Sequence, residues 1–140
     1  MKVIHLLLAA AVAAAAVPAT AQRLPVPIVN HDNVAVTRAD GKAASADDVK
    51  KAILTASQAT GRKWAVVESA PGVLVATYLV RTHTVVAEIR YSGSQFSVAY
   101  KDSVNMKYGS GADGKGVIHP FYNQWVMEFI QAIRAELART

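Results

Sequence analysis

Val73-Leu-Val-Ala-Thr-Tyr-Leu-Val80, Thr84-Val-Val-Ala-Glu-Ile-Arg-Tyr91 and Gln95-Phe-Ser-Val-Ala-Tyr-Lys101 follow one another across two three-residue gaps. Each alternates between two sets of side chains, and period two is the signature of a strand buried on one face. Leu74, Ala76, Tyr78 and Val80 form one apolar set, Val85, Ala87, Ile89 and Tyr91 the next, and Phe96, Val98 and Tyr100 the third. The other face carries Thr77, Arg81, Glu88, Arg90, Gln95, Ser97 and Lys101, as a sheet wetted on one side requires. Val75, Leu79 and Val86 also fall on that wet face. Lys63–Ser69 adds a preceding strand, set off by Pro71-Gly72. Connections this short pair strands antiparallel, so the four form a meander. Arg81-Thr-His83 lacks Gly, Asn and Pro, which predicts a loose turn there rather than a tight primed hairpin.

Helical periodicity flanks the meander. Ser45, with Asp48 three residues on, is an acidic variant of the capping box, and Asp47 and Asp48 complement the positive end of the helix dipole. Val49, Ala52, Ile53, Ala56 and Ala59 then mark one apolar face, and Gly61 suits a left-handed C-terminal position, which predicts a helix over 46–60. A second helix is predicted from near His119 to Ala138. Pro120 suits its first turn, and Tyr122, Trp125, Val126, Phe129, Ile130, Ile133 and Leu137 form its apolar stripe. Residues 102–117, with Gly109, Gly111, Gly114 and Gly116, read as a loop. The expected fold is therefore α+β, a single domain in the order β-α-β-β-β-β-α. Two helices lie on one face of a four- to five-stranded antiparallel sheet, a topology similar to TATA-binding-protein-like and helix-grip architectures.

The chain of 140 residues opens with an export signal. Lys2 precedes an apolar run from Ile4 to Val17, Pro18 breaks it, and Ala19-Thr-Ala21 supplies the small-x-small pattern of a cleavage site. Residues 1–21 are the expected signal peptide, 22–44 an extended leader with a short strand at 34–37, and 45–140 the α+β domain. Processing after Ala21 leaves a periplasmic or secreted protein with no transmembrane segment. The net charge of +5 falls to +4 with the loss of Lys2, and scattered Lys and Arg give no nucleic-acid footprint. There is no cysteine, which excludes disulfides, thiol chemistry and attachment of a lipid anchor to an N-terminal cysteine.

No motif defines a reaction. Gly109-Ser-Gly-Ala-Asp-Gly-Lys115 matches both GxGxxG and GxxxxGK. However, Gly116 stands where a P-loop needs Ser or Thr, and no further parallel strand follows the final helix. His31, His83 and His119 have no metal-ligand spacing, so no metal and no cofactor are expected. Asp102, Ser103 and His119 supply the residue types of a hydrolase triad, but without a nucleophile elbow their bland role is capping. The candidate ligand- or partner-binding residues are the polar and aromatic groups at element ends: Arg81, His83, Asp102, Ser103, Tyr108, His119 and Asn123.

Leu74-Val-Ala-Thr77, Arg81-Thr-His83, Tyr100-Lys-Asp-Ser-Val-Asn-Met-Lys-Tyr108 and above all Ile118-His-Pro-Phe-Tyr-Asn-Gln-Trp-Val126 give the chain a family likeness over residues 45–137. It resembles a family of small proteobacterial periplasmic proteins and lipoproteins for which no activity is established. The resemblance implies fold and compartment and carries over no catalytic residue. Ala21-Gln22 stands where the lipoproteins have their lipid-bearing cysteine.

Three functional expectations follow. The first is a non-enzymatic accessory module that meets an envelope protein or a second copy of itself through Val75, Leu79 and Val86, unless residues 22–33 cover that patch. The second is a small-molecule binder with a pocket between the final helix and the sheet, mouthed by the glycine-rich loop and marked by Tyr78, Tyr91 and Tyr108 lining it. The third is a hydrolase using His119.

Overall fold

The computed structural model describes residues 22–59 and 61–140. The expected signal peptide lies outside the described residues, as does Thr60 at the end of the first predicted helix. Two antiparallel sheets and two helices make up an α+β domain.

In chain order the elements are β1 (Val26–Pro27), β2 (His31–Ala35), α1 (Ala46–Ala59), β3 (Ala65–Ala70), β4 (Val73–Val80), β5 (His83–Tyr91), β6 (Gln95–Val104), β7 (Gly109–Ser110), β8 (Gly116–Ile118) and α2 (Phe121–Leu137). The main sheet has the order β2-β6-β5-β4-β3, so the predicted meander is present and β2 extends it beyond β6. The small sheet, β1-β8-β7, draws together the leader and the glycine-rich segment.

The inner face of the main sheet is the apolar set that alternation selects: Leu74, Ala76, Tyr78, Val85, Ala87, Ile89, Phe96 and Val98 are all buried. Against it lie Val49, Ala52, Ile53 and Ala56 of α1 and the whole stripe of α2, from Tyr122 to Leu137. Trp64, just before β3, is the largest fully buried side chain. It stacks on Phe129 at a centroid distance of 5.0 Å and lies 5.3 Å from Tyr78. Each large side chain buried here contributes about 1.5–3 kcal/mol.

The helix start at α1 is the reciprocal box that the sequence encodes. Asp48 N–H donates to Ser45 Oγ at 3.1 Å, and Ser45 N–H donates to Asp48 Oδ2 at 2.8 Å. That backbone donor, more than any other group, holds the Asp48 carboxyl below the usual carboxylate range. Gly93, in the turn between β5 and β6, abuts this helix start. A Cβ built on Gly93 would stand 2.4 Å from the Ala44 carbonyl oxygen.

Four local expectations are corrected. The leader strand is His31–Ala35 instead of 34–37, and the leader pairs with β6 and β8 at sheet edges instead of crossing the open face. Its polar residues hid the pairing, because a short edge strand needs only Val34 pointing inward. Residues 102–117 are not one loop: β6 runs on to Val104, and Gly109–Ser110 pairs with Gly116–Ile118. The turn between β4 and β5 is tight, with Val80 opposite His83 and only Arg81 and Thr82 between them. Finally, α2 begins at Phe121, with Pro120 at the cap position.

Gly93→Ala should destabilise the domain by about 1–3 kcal/mol, because the Ala44 backbone must shift to admit the methyl group. Trp64→Ala should cost about 3–5 kcal/mol. Urea denaturation against the parent protein measures both.

Candidate functional site

Three segments meet at the N-terminal end of α2 and enclose a cleft of about 290 Å³. Val80, Met106, Phe121 and Trp125 form its apolar floor and wall, and Arg81, His83 and His119 supply its polar groups. Thus three of the sequence-derived candidates, from two distant stretches of chain, share one cavity.

Hydrogen bonds fasten the segments to one another. Asn105 donates from Nδ2 to the Thr82 carbonyl at 2.7 Å, and the Asn105 carbonyl lies 2.8 Å from His83 Nδ1. His119 N–H donates to the Met106 carbonyl at 2.7 Å. The turn, the 105–107 segment and the start of α2 therefore form one braced unit.

The unit holds strained backbone. Arg81, Asn105 and Lys107 have φ of 53°, 56° and 53°, three of the four positive values at non-glycine residues among the described residues. Asn tolerates that region, whereas a long side chain at such a φ costs about 1–2 kcal/mol. Arg81 occupies the first position of a two-residue hairpin loop, where glycine is the usual choice. Retained strain of this kind clusters at ligand sites and switches.

The electrostatics have one sign. Arg81, His83 and His119 line the cleft, and no carboxylate does. Arg23 stacks over the Phe121 ring at 4.5 Å, and Lys107 Nζ donates to the Arg23 carbonyl at 3.3 Å. Burial pushes the His119 imidazole below its ordinary value, and the charges of Lys107, Arg23 and His83 push it further down.

Hydrogen bonding assigns the tautomers. Phe121 N–H donates to His119 Nδ1 at 3.2 Å, so neutral His119 carries its proton on Nε2. The partner of His83 Nδ1 is a carbonyl, which only accepts, so neutral His83 keeps its lone pair on Nε2.

The other candidates serve elsewhere. Asn123 takes the place of a strand residue for the leader, donating from Nδ2 to the Pro27 carbonyl at 2.9 Å and accepting from Val29 N–H at 3.0 Å. Ser103 Oγ bonds the Tyr100 hydroxyl at 2.9 Å, and Asp102 Oδ1 accepts from Ser103 N–H at 2.8 Å. Among the described residues no hydrogen bond joins Asp102, Ser103 and His119 into a triad. Tyr108 stacks on Tyr100, 4.8 Å away, and Tyr78 packs edge-on to Trp125. Tyr91 instead pairs with Phe96 beside the turn at 92–94, so the three tyrosines do not line a shared pocket.

On the open face of the main sheet Leu79 is 67 % exposed, and Val75 and Val86 are half-buried. Val67 and Val104, which sequence reasoning passed over, join them through the pairs Val67–Val75 and Thr84–Val104.

Sequence reasoning also missed Met106 and Phe121 in the lining and Asn105 as the brace of its rim, and it assigned Trp125, which lines the cleft, to the core alone. Asn105 carried a usable signal, since Asn at a strand end is a common left-handed residue. A larger hollow of about 420 Å³ lies at the opposite end of α2, beside Arg38 and Arg134. Arg38 there is already engaged by Asp40, Asp48 and the Thr140 carbonyl, which makes that region a structural brace. Among the described residues no group of three or more His, Asp or Glu converges as a metal site, and no helix is long and apolar enough to cross a membrane.

Comparison with protein-family models, curated proteins and solved structures finds no match.

Two outcomes follow from this geometry. Arg81→Gly relieves the positive φ while adding chain entropy to the unfolded state, two effects of about 1 kcal/mol that oppose each other. Its unfolding free energy should therefore stay within about 1 kcal/mol of the parent. For His119, a folded-state pKa below the unfolded value means that the unfolded chain binds the proton more readily. Stability is thus full at pH 8 and falls as the pH drops below about 6.5 towards the folded value. Urea titrations from pH 8 to 5 should show this loss, with a shallower slope for His119→Gln.

Proposed function

We propose that this protein is an exported binding module that holds a small amphipathic organic anion in the cleft beside α2. The observation that carries the reading is Arg81, a cationic residue that lines an apolar cavity from a backbone conformation that favours glycine. That conformation closes the hairpin between β4 and β5, and the turn could be closed equally well by glycine, so the long cationic side chain is what the fold leaves unexplained. An anion with an apolar body would bond the guanidinium with its charged end and lay the rest on Val80, Met106, Phe121 and Trp125.

Binding accounts for the site better than turnover does. No side chain with a hydroxyl or carboxylate lines the cavity, and both histidines have Nδ1 committed to backbone groups. The compartment rests on the pattern of residues 1–21 and on the likeness to small envelope proteins; mass spectrometry of the secreted form should find Gln22, or its cyclised form, at the N-terminus.

A second reading, docking of another protein on the open face, is favoured by the exposure of Leu79, Val67 and Val104 at 67 %, 62 % and 54 %. Leu79→Lys should then abolish association while leaving the thermal midpoint unchanged.

The anion reading has a direct test. Millimolar 3-phenylpropionate should raise the thermal midpoint of the parent protein and leave that of Arg81→Gly unmoved, and the neutral alcohol 3-phenylpropanol should act on neither. An equal rise in the Arg81→Gly variant would overturn the assignment.

A further inference from the structure

The donor and acceptor pattern of the cleft narrows the ligand class, an inference that rests on the anion-binding reading. We propose that the cleft selects a 2-hydroxycarboxylate with an aromatic or aliphatic tail.

The polar side chains that line the cavity offer two donors and one acceptor. Arg81 brings its guanidinium and His119 its Nε2–H, because Nδ1 of that ring is occupied by Phe121 N–H. A carboxylate takes both. His83 brings the opposite polarity. With its Nδ1 proton on the Asn105 carbonyl, its Nε2 lone pair seeks a donor that a simple carboxylate lacks. A hydroxyl next to the carboxylate supplies that donor.

The surrounding charge decides which donor is suited. An amino acid offers an ammonium, but Arg23 and Lys107 stand close enough to act on His119, Arg81 lines the cleft, and no carboxylate is there to pair with a further cation. A neutral hydroxyl avoids that repulsion.

A phosphate is disfavoured by what α2 has already spent. Phosphate sites at helix N-termini rely on free backbone amides. Here Phe121 N–H goes to His119 Nδ1, and Tyr122 N–H goes to the His119 carbonyl at 3.0 Å. The size agrees with a small tailed acid: 290 Å³ is the liquid volume of about ten waters.

Three near-isosteres separate these terms without any mutation. 3-Phenyllactate, 3-phenylpropionate and phenylalanine differ only in carrying OH, H or NH3⁺ beside the carboxylate. Calorimetry on the purified protein at pH 8 should rank phenyllactate about tenfold tighter than phenylpropionate, the value of one hydrogen bond, with phenylalanine weakest. His83→Ala should reduce the ratio of phenyllactate to phenylpropionate affinity from about tenfold to about one, whatever it does to the affinity of both acids together. Equal binding of phenyllactate and phenylpropionate, both lost in Arg81→Gly, would overturn the hydroxyl assignment while the anion reading stands. Tighter binding of phenylalanine, or of phenyl phosphate, would overturn the ligand class in the same way. If none of the acids binds, both the ligand class and the anion reading fall.

Discussion

The stacking of Trp64 against Phe129 ties this structure together. It joins the residue that leads into the main sheet to the middle of the last helix, and the chain has no disulfide to do so instead. Around it, Tyr78 and Trp125 complete an aromatic cluster, and Ile130, Ile133 and Leu137 continue the burial along α2. Arg62, bonded to Glu128 at 2.5 Å, fixes the same helix from the segment just ahead of Trp64. That ion pair is partly exposed and worth little alone.

The cleft is where this packing stops. Trp125 has one side against Tyr78 and another facing the cavity, so a single side chain belongs to both core and site. A site built this way is rigid on its floor. Its rim is held by hydrogen bonds centred on Asn105, which reaches Thr82 on one side and His83 on the other. The two imidazoles are thus preorganised, each held at Nδ1 by a backbone group.

Much of the fold was legible because two periods do not resemble one another. Alternation in Leu74–Val80, Val85–Tyr91 and Phe96–Tyr100 and the three-and-four spacing from Tyr122 to Leu137 each point to one buried face, and those faces meet. Ser45 and Asp48 were equally plain, since their partners lie three residues apart. What escaped the sequence depended on distant partners. The strand at His31–Ala35 forms because β6 offers an edge, and Val26–Pro27 because β8 does. The tight turn at Arg81–Thr82 breaks a local rule and persists because Asn105, more than twenty residues on, holds it. The candidate site was half visible for the same reason: Arg81, His83 and His119 could be named as polar residues at element ends, but nothing local separated them from Ser103 or Asn123.

The bonds of Asn123 to Pro27 and Val29 span 96 and 94 residues of chain. Together with the pairing of β1 and β8, they couple the first described residues to the last quarter of the molecule. Contacts of such sequence separation form late and slowly, because loop closure must precede any gain from them. A chain emerging N-terminus first, from a ribosome or through a translocation pore, therefore cannot complete this domain until its final helix is free. The architecture keeps itself threadable until the last moment, and a chain truncated before β8 would lose the attachment of its own beginning.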